Sequence, residues 1–148
     1  MNMEETLLAF SKEIAKQYDY PEPVKIVLDG RYKYCLAYSH CDKKIIRLNK
    51  FVVEHNPIEI IKAILIHEIV HFKHCNHGPN FVREVRRMGS HERIESLFPN
   101  IKLSLKYKYQ CPKCHKFGYS DKKKDFSCSY CTNDYDEEYK LELVEVNT

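Results

Sequence analysis

Several features are missing from this sequence of 148 residues. No stretch approaches the roughly 18 unbroken apolar residues that a membrane span needs, so a membrane-embedded chain is not expected. The amino terminus, MNMEETLLAFSKE, is acidic before it is apolar and has no small-residue cleavage site, unlike a signal peptide. There is no internal repeat and no low-complexity linker, and glycine is scarce at 4 residues, so a fibrous chain is excluded as well. A strong charge of one sign is also absent. The formal net charge of +3 is too mild to imply nucleic-acid binding by itself. Without a secretory signal the expected compartment is reducing and cytoplasmic. There, seven cysteines read as metal ligands or free thiols rather than disulfides.

What is present fits a folded soluble chain, with 43% hydrophobic and 30% charged residues. The length allows one domain, or a domain of about 100 residues with a small appendage. Charge and cysteine divide the chain unevenly. Residues 1–100 carry 15 basic and 13 acidic side chains; residues 101–124 hold eight lysines against one acid; residues 125–148 hold one lysine against seven acids. Four of the seven cysteines lie beyond residue 110. Pro99 and Asn100 provide turn chemistry where the composition changes. The reading is therefore a main domain over 1–100 and a tail module over 101–148.

Periodicity places the elements. Glu4 to Tyr18 has helical apolar spacing and is ended by Pro21 and Pro23. Val24–Leu28 alternates as a strand, Asp29-Gly30 signals a hairpin, Arg31–Tyr38 supplies a second strand and Lys44–Leu48 a third. Asn56 offers an N-cap and Pro57 a first helical residue for a long apolar helix over Ile58–Phe72. Phe81–Met88 and His91–Leu97 are shorter amphipathic pieces. The expected class is α+β: an N-terminal helix, a three-stranded antiparallel sheet, the long helix with further helices, and a small β module.

Inside the long helix stands HEIVH, His67 to His71. Residues four apart on a helix are separated by about 40° of rotation and about 6 Å of rise, so two imidazoles can reach one ion. Zn²⁺ takes such nitrogens at about 2.0–2.1 Å. Glu68 projects beside them, where it can act as general base toward a water made acidic by the metal. Strong apolar character on both sides of the motif argues against a chance surface pair. A catalytic zinc wants three protein ligands and one open position. His77 precedes Gly78-Pro79, residues suited to leaving a helix and turning back, and is chosen as the third ligand. His74 is the runner-up, one turn too far along unless the helix bends. His40, His55 and His91 read as exposed or capping histidines.

The second constellation is CPKC and CSYC, Cys111, Cys114, Cys128 and Cys131, with thirteen residues between the pairs. Two such knuckles complete a tetrahedral shell of four thiolates at about 2.3 Å, closed and hence structural. A module of about 45 residues cannot bury enough core to fold alone, and a metal would supply the deficit. The flanks Leu103–Gln110 and Tyr139–Val146 alternate as strands that could pair. Lys102, Lys106, Lys108, Lys113, Lys116 and Lys122 to Lys124 lie here among Tyr107, Tyr109, Phe117 and Tyr119. Lysines neutralise phosphates and aromatics stack on unpaired bases, although a solvated lysine-rich face has the same composition. Cys35, Cys41 and Cys75 lack paired spacing and read as ordinary small residues, with Cys75 a thiol open to oxidation beside the turn.

HEIVH followed by HGPNF (His77 to Phe81), preceded by IRLN (Ile46 to Asn49) and followed by the four-cysteine ribbon, resembles the SprT-like metalloproteases. The interval between His71 and His77 is short for that family and matches metzincin spacing, but His74 stands where the metzincin glycine would be. The resemblance covers nearly the whole chain. It implies a zinc endopeptidase with His67, His71 and His77 as ligands and Glu68 as base, a second zinc in the ribbon, protein as substrate, and DNA as a partner through the lysine-rich ribbon. It further implies cleavage of proteins crosslinked to DNA. Two rival readings are a peptidase without a DNA role and a non-catalytic zinc-ribbon adaptor.

Overall fold

The computed structural model describes residues 2–32, 35–105 and 107–146. The chain forms two compact units, Met1–Lys102 and Leu103–Thr148.

In the first unit, α1 (Met3–Gln17) opens with a reciprocal cap: the Glu5 N–H donates to the Asn2 side chain, and the Asn2 N–H reaches back to Glu5. Leu7, Ser11, Ile14 and Ala15 form its buried stripe. Strands β1 (Lys25–Asp29), β2 (Ala37–His40) and β3 (Ile45–Asn49) form a sheet in the order β1-β3-β2. Ile46 and Leu48 are fully buried on the central strand β3.

The sheet is mixed, not antiparallel throughout. β1 runs parallel to β3 while β2 is antiparallel to it, within the α+β class. Asp29-Gly30 does not make a hairpin. Gly30 lacks the left-handed φ that a two-residue turn requires. The Asp29 carboxylate instead accepts from the Arg31 N–H and guanidinium, which ends the strand and starts a longer connection to the far edge of β3. The tight turn comes later, between β2 and β3, where the Lys44 N–H donates to the His40 carbonyl and Lys44 takes φ 56°. The second strand is accordingly confined to Ala37–His40; Lys33 and Tyr34, part of the expected span, lie outside the described residues.

A short helix α2 (Lys50–His55) follows directly, capped by the Asn49 side chain. Asn56 then serves not as N-cap of the long helix but as a brace, its amide bonding the Val52 and Lys102 backbones. Pro57 takes the cap position of α3 (Ile58–Val70). Nine residues of α3 are buried, so it is enclosed on almost all sides, as its nearly continuous apolar sequence demands. α4 (Pro79–Arg87) starts with Pro79 at its first position, and α5 (Ile94–Leu97) closes the unit.

The second unit is a three-stranded antiparallel sheet: β4 (Tyr107–Gln110), β5 (Phe117–Ser120) and β6 (Glu142–Val146), in the order β5-β4-β6. The pairing of β4 with β6 joins the two flanks expected from alternation. Among the described residues, no helix is long and apolar enough to cross a membrane.

Candidate metal centre and cysteine cluster

Three imidazoles meet at the exit of α3. His67 and His71 project from neighbouring turns, and the chain then leaves the helix through residues 71–73 and doubles back. Asn76 accepts from the Gly78 N–H at 3.1 Å, and a Cβ at position 78 would stand 2.9 Å from that same oxygen. This tight turn returns His77, whose Nε2 lies 3.1 Å from His71 Nε2. One ligand atom from each of His67, His71 and His77 lies within 4.8 Å of the others.

The two helix histidines are oriented by backbone. The Nδ1 of His67 is 3.0 Å from the His91 carbonyl, and that of His71 is 3.0 Å from the His74 carbonyl. A carbonyl accepts only from N–H, so each proton is placed on Nδ1 and each Nε2 keeps its lone pair for the cluster. His74 therefore enters the site through its backbone, and its ring is not in the cluster. His55 bonds the Phe51 carbonyl, His40 accepts from Arg47, and His91 accepts from the Arg93 N–H, so these three are engaged elsewhere.

Phe81 is the post around which the rings are arranged. Its centroid is 4.9, 4.4 and 4.9 Å from those of His67, His71 and His77, and it is stacked on His71. Phe81 is fully buried, so the rings lean on a fixed surface. The carbonyl of His91 is held in turn: Glu92 pairs with Arg86 and the buried Ser90 hydroxyl donates to the Ala63 carbonyl. Burial pushes the His67 imidazolium down to about 4, opposed by the His91 carbonyl, and burial lowers His71 too. Neutral imidazoles are the form that ligates metal.

Glu68 is buried, and its side chain meets Ser39 of β2, whose hydroxyl lies 2.7 Å from Oε2. Burial raises the Glu68 carboxyl to about 7, against the opposing bond from Ser39. A carboxyl balanced near neutrality can both take and return a proton. The donor set fits a divalent ion: for tetrahedral N–metal bonds of about 2.0–2.1 Å, adjacent nitrogens are about 3.3 Å apart, close to the His71–His77 spacing. Ser39 and the carbonyl of His91 carry no motif and were not legible in the sequence. Phe81 was visible as the last residue of HGPNF and the first of an amphipathic piece, but not as a support for the imidazoles.

A buried carboxylate next to three converging imidazoles on one helix and its return turn defines a metallopeptidase. The YgjP-like metallopeptidase domain matches residues 12–96, and the chain belongs to that family. The chain is similar to two solved metallopeptidase zymogens, jannalysin of Methanocaldococcus jannaschii and abylysin of Pyrococcus abyssi. Each is 30% identical with a TM-score of 0.51; the matches cover 63% and 66% of this chain and 90% of each neighbour. It is also 39% identical over 56 residues to an uncharacterized protein of Methanocaldococcus jannaschii. That match takes in 36% of this chain and 51% of the relative, so the chain spans about half the length of the curated relative it matches. The family is that of an enzyme using a metal ion to hydrolyse peptide bonds.

In the second unit, Cys111, Cys114, Cys128 and Cys131 bring their sulfurs within 4.8 Å of one another. Cys111 and Cys131 are 3.9 Å apart and Cys114 and Cys128 are 3.6 Å apart, far beyond a disulfide bond. Tetrahedral metal–sulfur bonds of about 2.3 Å require about 3.8 Å between sulfurs. The N–H groups of Cys114 and Lys113 point at Cys111 Sγ and bring its thiol down to about 7.

The lysine-rich face is only partly available. Lys108 is buried, its ammonium 4.2 Å above the Phe117 ring, and Lys106 lies outside the described residues. Lys113 and Lys122 to Lys124 are exposed. Beside them a cleft of about 260 Å³ is lined by Phe117, Tyr119, Phe126 and Tyr130, with Lys116 at 4.0 Å over Tyr130.

Proposed function

We propose that the chain is a zinc-dependent endopeptidase in which His67, His71 and His77 hold the ion and Glu68 is the general base. The observation that carries this is the convergence of three imidazoles beside a buried carboxylate anchored at one oxygen. Zinc bound there would supply Lewis acidity, lowering the pKa of a water and polarising a substrate carbonyl. The chain supplies the rest. The carbonyls of His91 and His74 hold the imidazoles in one tautomer, Phe81 fixes their planes, and Glu68 takes the proton of the attacking water and gives it to the departing amine. A second zinc in the Cys111–Cys114–Cys128–Cys131 cluster would hold the ribbon together without chemistry of its own, because four thiolates leave no open position.

The finer reading is of SprT-like type: a cytoplasmic protease brought to DNA by its ribbon and cleaving proteins crosslinked to it. The HEIVH–HGPNF pairing, the exposed lysines and the aromatic cleft support it. A peptidase acting on peptides or misfolded protein without DNA is the alternative. Family membership weighs against a non-catalytic adaptor.

The test is hydrolysis of casein and of a protein crosslinked to a single-stranded oligonucleotide, by wild type and Glu68→Gln. Wild type should cleave both, with the DNA-linked protein preferred, and the variant neither. Equal rates on both substrates, unchanged by free single-stranded DNA, would remove the DNA role and leave the peptidase.

A further inference from the structure

The hydroxyl of Ser39 stands at the centre of this inference. Ser39 lies on β2, the edge strand of the first sheet, and is paired in register with the fully buried Ile46 of β3. Its Oγ is 2.7 Å from Glu68 Oε2 and 2.8 Å from the backbone carbonyl of the same residue. Among the described residues, Ser39 is the side chain that bonds the Glu68 carboxyl, and it does so at Oε2.

We infer that Ser39 is a positioning residue for hydrolysis, occupying Oε2 so that Oε1 is the oxygen that receives and returns the proton. This rests on the reading of Glu68 as general base. A glutamate has three side-chain torsions, and a carboxylate at the end of them is aimed only by what it touches. Ser39 touches it from a paired strand, so the aim of the carboxyl is tied to the sheet rather than to α3 alone. The second contact, to the carbonyl of Glu68, fixes the serine rotamer by offering its one proton two acceptors on the same residue. The hydroxyl gains no proton in the cycle. The proton of the attacking water reaches Oε1 and leaves Oε1 for the amine, while Oε2 stays bonded to Ser39. An alanine at 39 would leave the carboxyl to rotate, and misaiming by about 1 Å in a proton-transfer geometry costs on the order of 10²-fold in rate.

The experiment uses the full zinc-loaded chain and compares Ser39→Ala, Ser39→Thr, Ser39→Cys and Glu68→Gln by kcat, KM and zinc content. Ser39→Ala should lower kcat about 10- to 100-fold, as supporting hydrogen bonds in metal sites do, with KM and zinc content unchanged. Ser39→Thr keeps the hydroxyl and should restore most of kcat, whereas Ser39→Cys, close in shape but a weak donor, should not. Ser39→Ala added to Glu68→Gln should lower the residual rate no further. The role is overturned if Ser39→Ala, or Ser39→Cys should the alanine variant not fold, turns over within twofold of wild type while Glu68→Gln is inactive. It is equally overturned if the threonine variant fails to recover a loss. A fully active Glu68→Gln would instead refute the general base itself.

Discussion

The two donor clusters of this chain contrast in what surrounds them. The imidazole cluster is assembled from one helix and a turn that doubles back, leans on Phe81, and has a titratable carboxyl at its side. The cysteine cluster is made from two short knuckles, the first of which points backbone N–H groups at Cys111 Sγ, with no carboxyl or imidazole among its donors. The first is held by the fold. The second would hold the fold, since the buried residues among those described in its unit are Leu103, Leu105, Lys108, Tyr109, Cys111 and Cys128 alone. The lesson is that a reactive site is placed by the fold around it, whereas a structural metal supplies folding free energy to a unit with little core.

The largest expected effect breaks that contrast from the ribbon side. Cys114→Ser should unfold residues 103–148, seen as loss of their dispersed amide resonances, while those of residues 2–102 are retained. Retained dispersion in the ribbon would show that it folds without its metal. Next is Phe81→Ala, which removes the buried post from the imidazoles. Truncating a buried phenylalanine costs about 3–5 kcal/mol, and chemical denaturation should find that loss in the first unit alone. An effect below about 1 kcal/mol would mean that the rings carry themselves.

Acid should sharpen the difference further. The Arg31 side chain holds Asp29 down to about 2, Arg87 and the Tyr20 hydroxyl do the same for Glu84, and Arg86 for Glu92. All three belong to the first unit. Carboxyls depressed in the folded state stabilise it fully above their unfolded values and lose that contribution as pH falls through the folded ones. The contribution of these three pairings, read as the difference in urea midpoint between wild type and a variant with Arg31, Arg86 and Arg87 changed to alanine, should therefore be flat from pH 7 to about 5 and fall toward pH 2; a difference unchanged at pH 3 would contradict these pairings. The smallest effect is at the amino terminus. Asn2→Ala breaks the reciprocal cap of α1 and should cost about 1 kcal/mol.

Legibility in the sequence followed the range of the interactions. The α3 helix and both donor motifs were readable because i,i+4 spacing, knuckle spacing and apolar runs are local. The β1–β3 pairing was not, because Asp29-Gly30 looks like a turn until Arg31 and Arg47 are seen to claim the Asp29 carboxylate. The six residues of α2 are too few to show a period. Ser39 was invisible because it meets Glu68 across 29 positions of sequence, through a strand pairing that no motif announces. The lysine run was read as one exposed face, yet Lys108 is buried against Phe117 because β4 is the central strand of its sheet.

The central claim is that three imidazoles bind one ion and leave Glu68 free to move protons. Zinc per chain, measured side by side on wild type, Glu68→Gln and His77→Ala, addresses it most directly. The account expects about two, two and one zinc ions, following the two donor groups. Two ions retained by His77→Ala would show that residue 77 is not a ligand, and one ion in Glu68→Gln would show that the carboxylate binds metal instead of acting as the base.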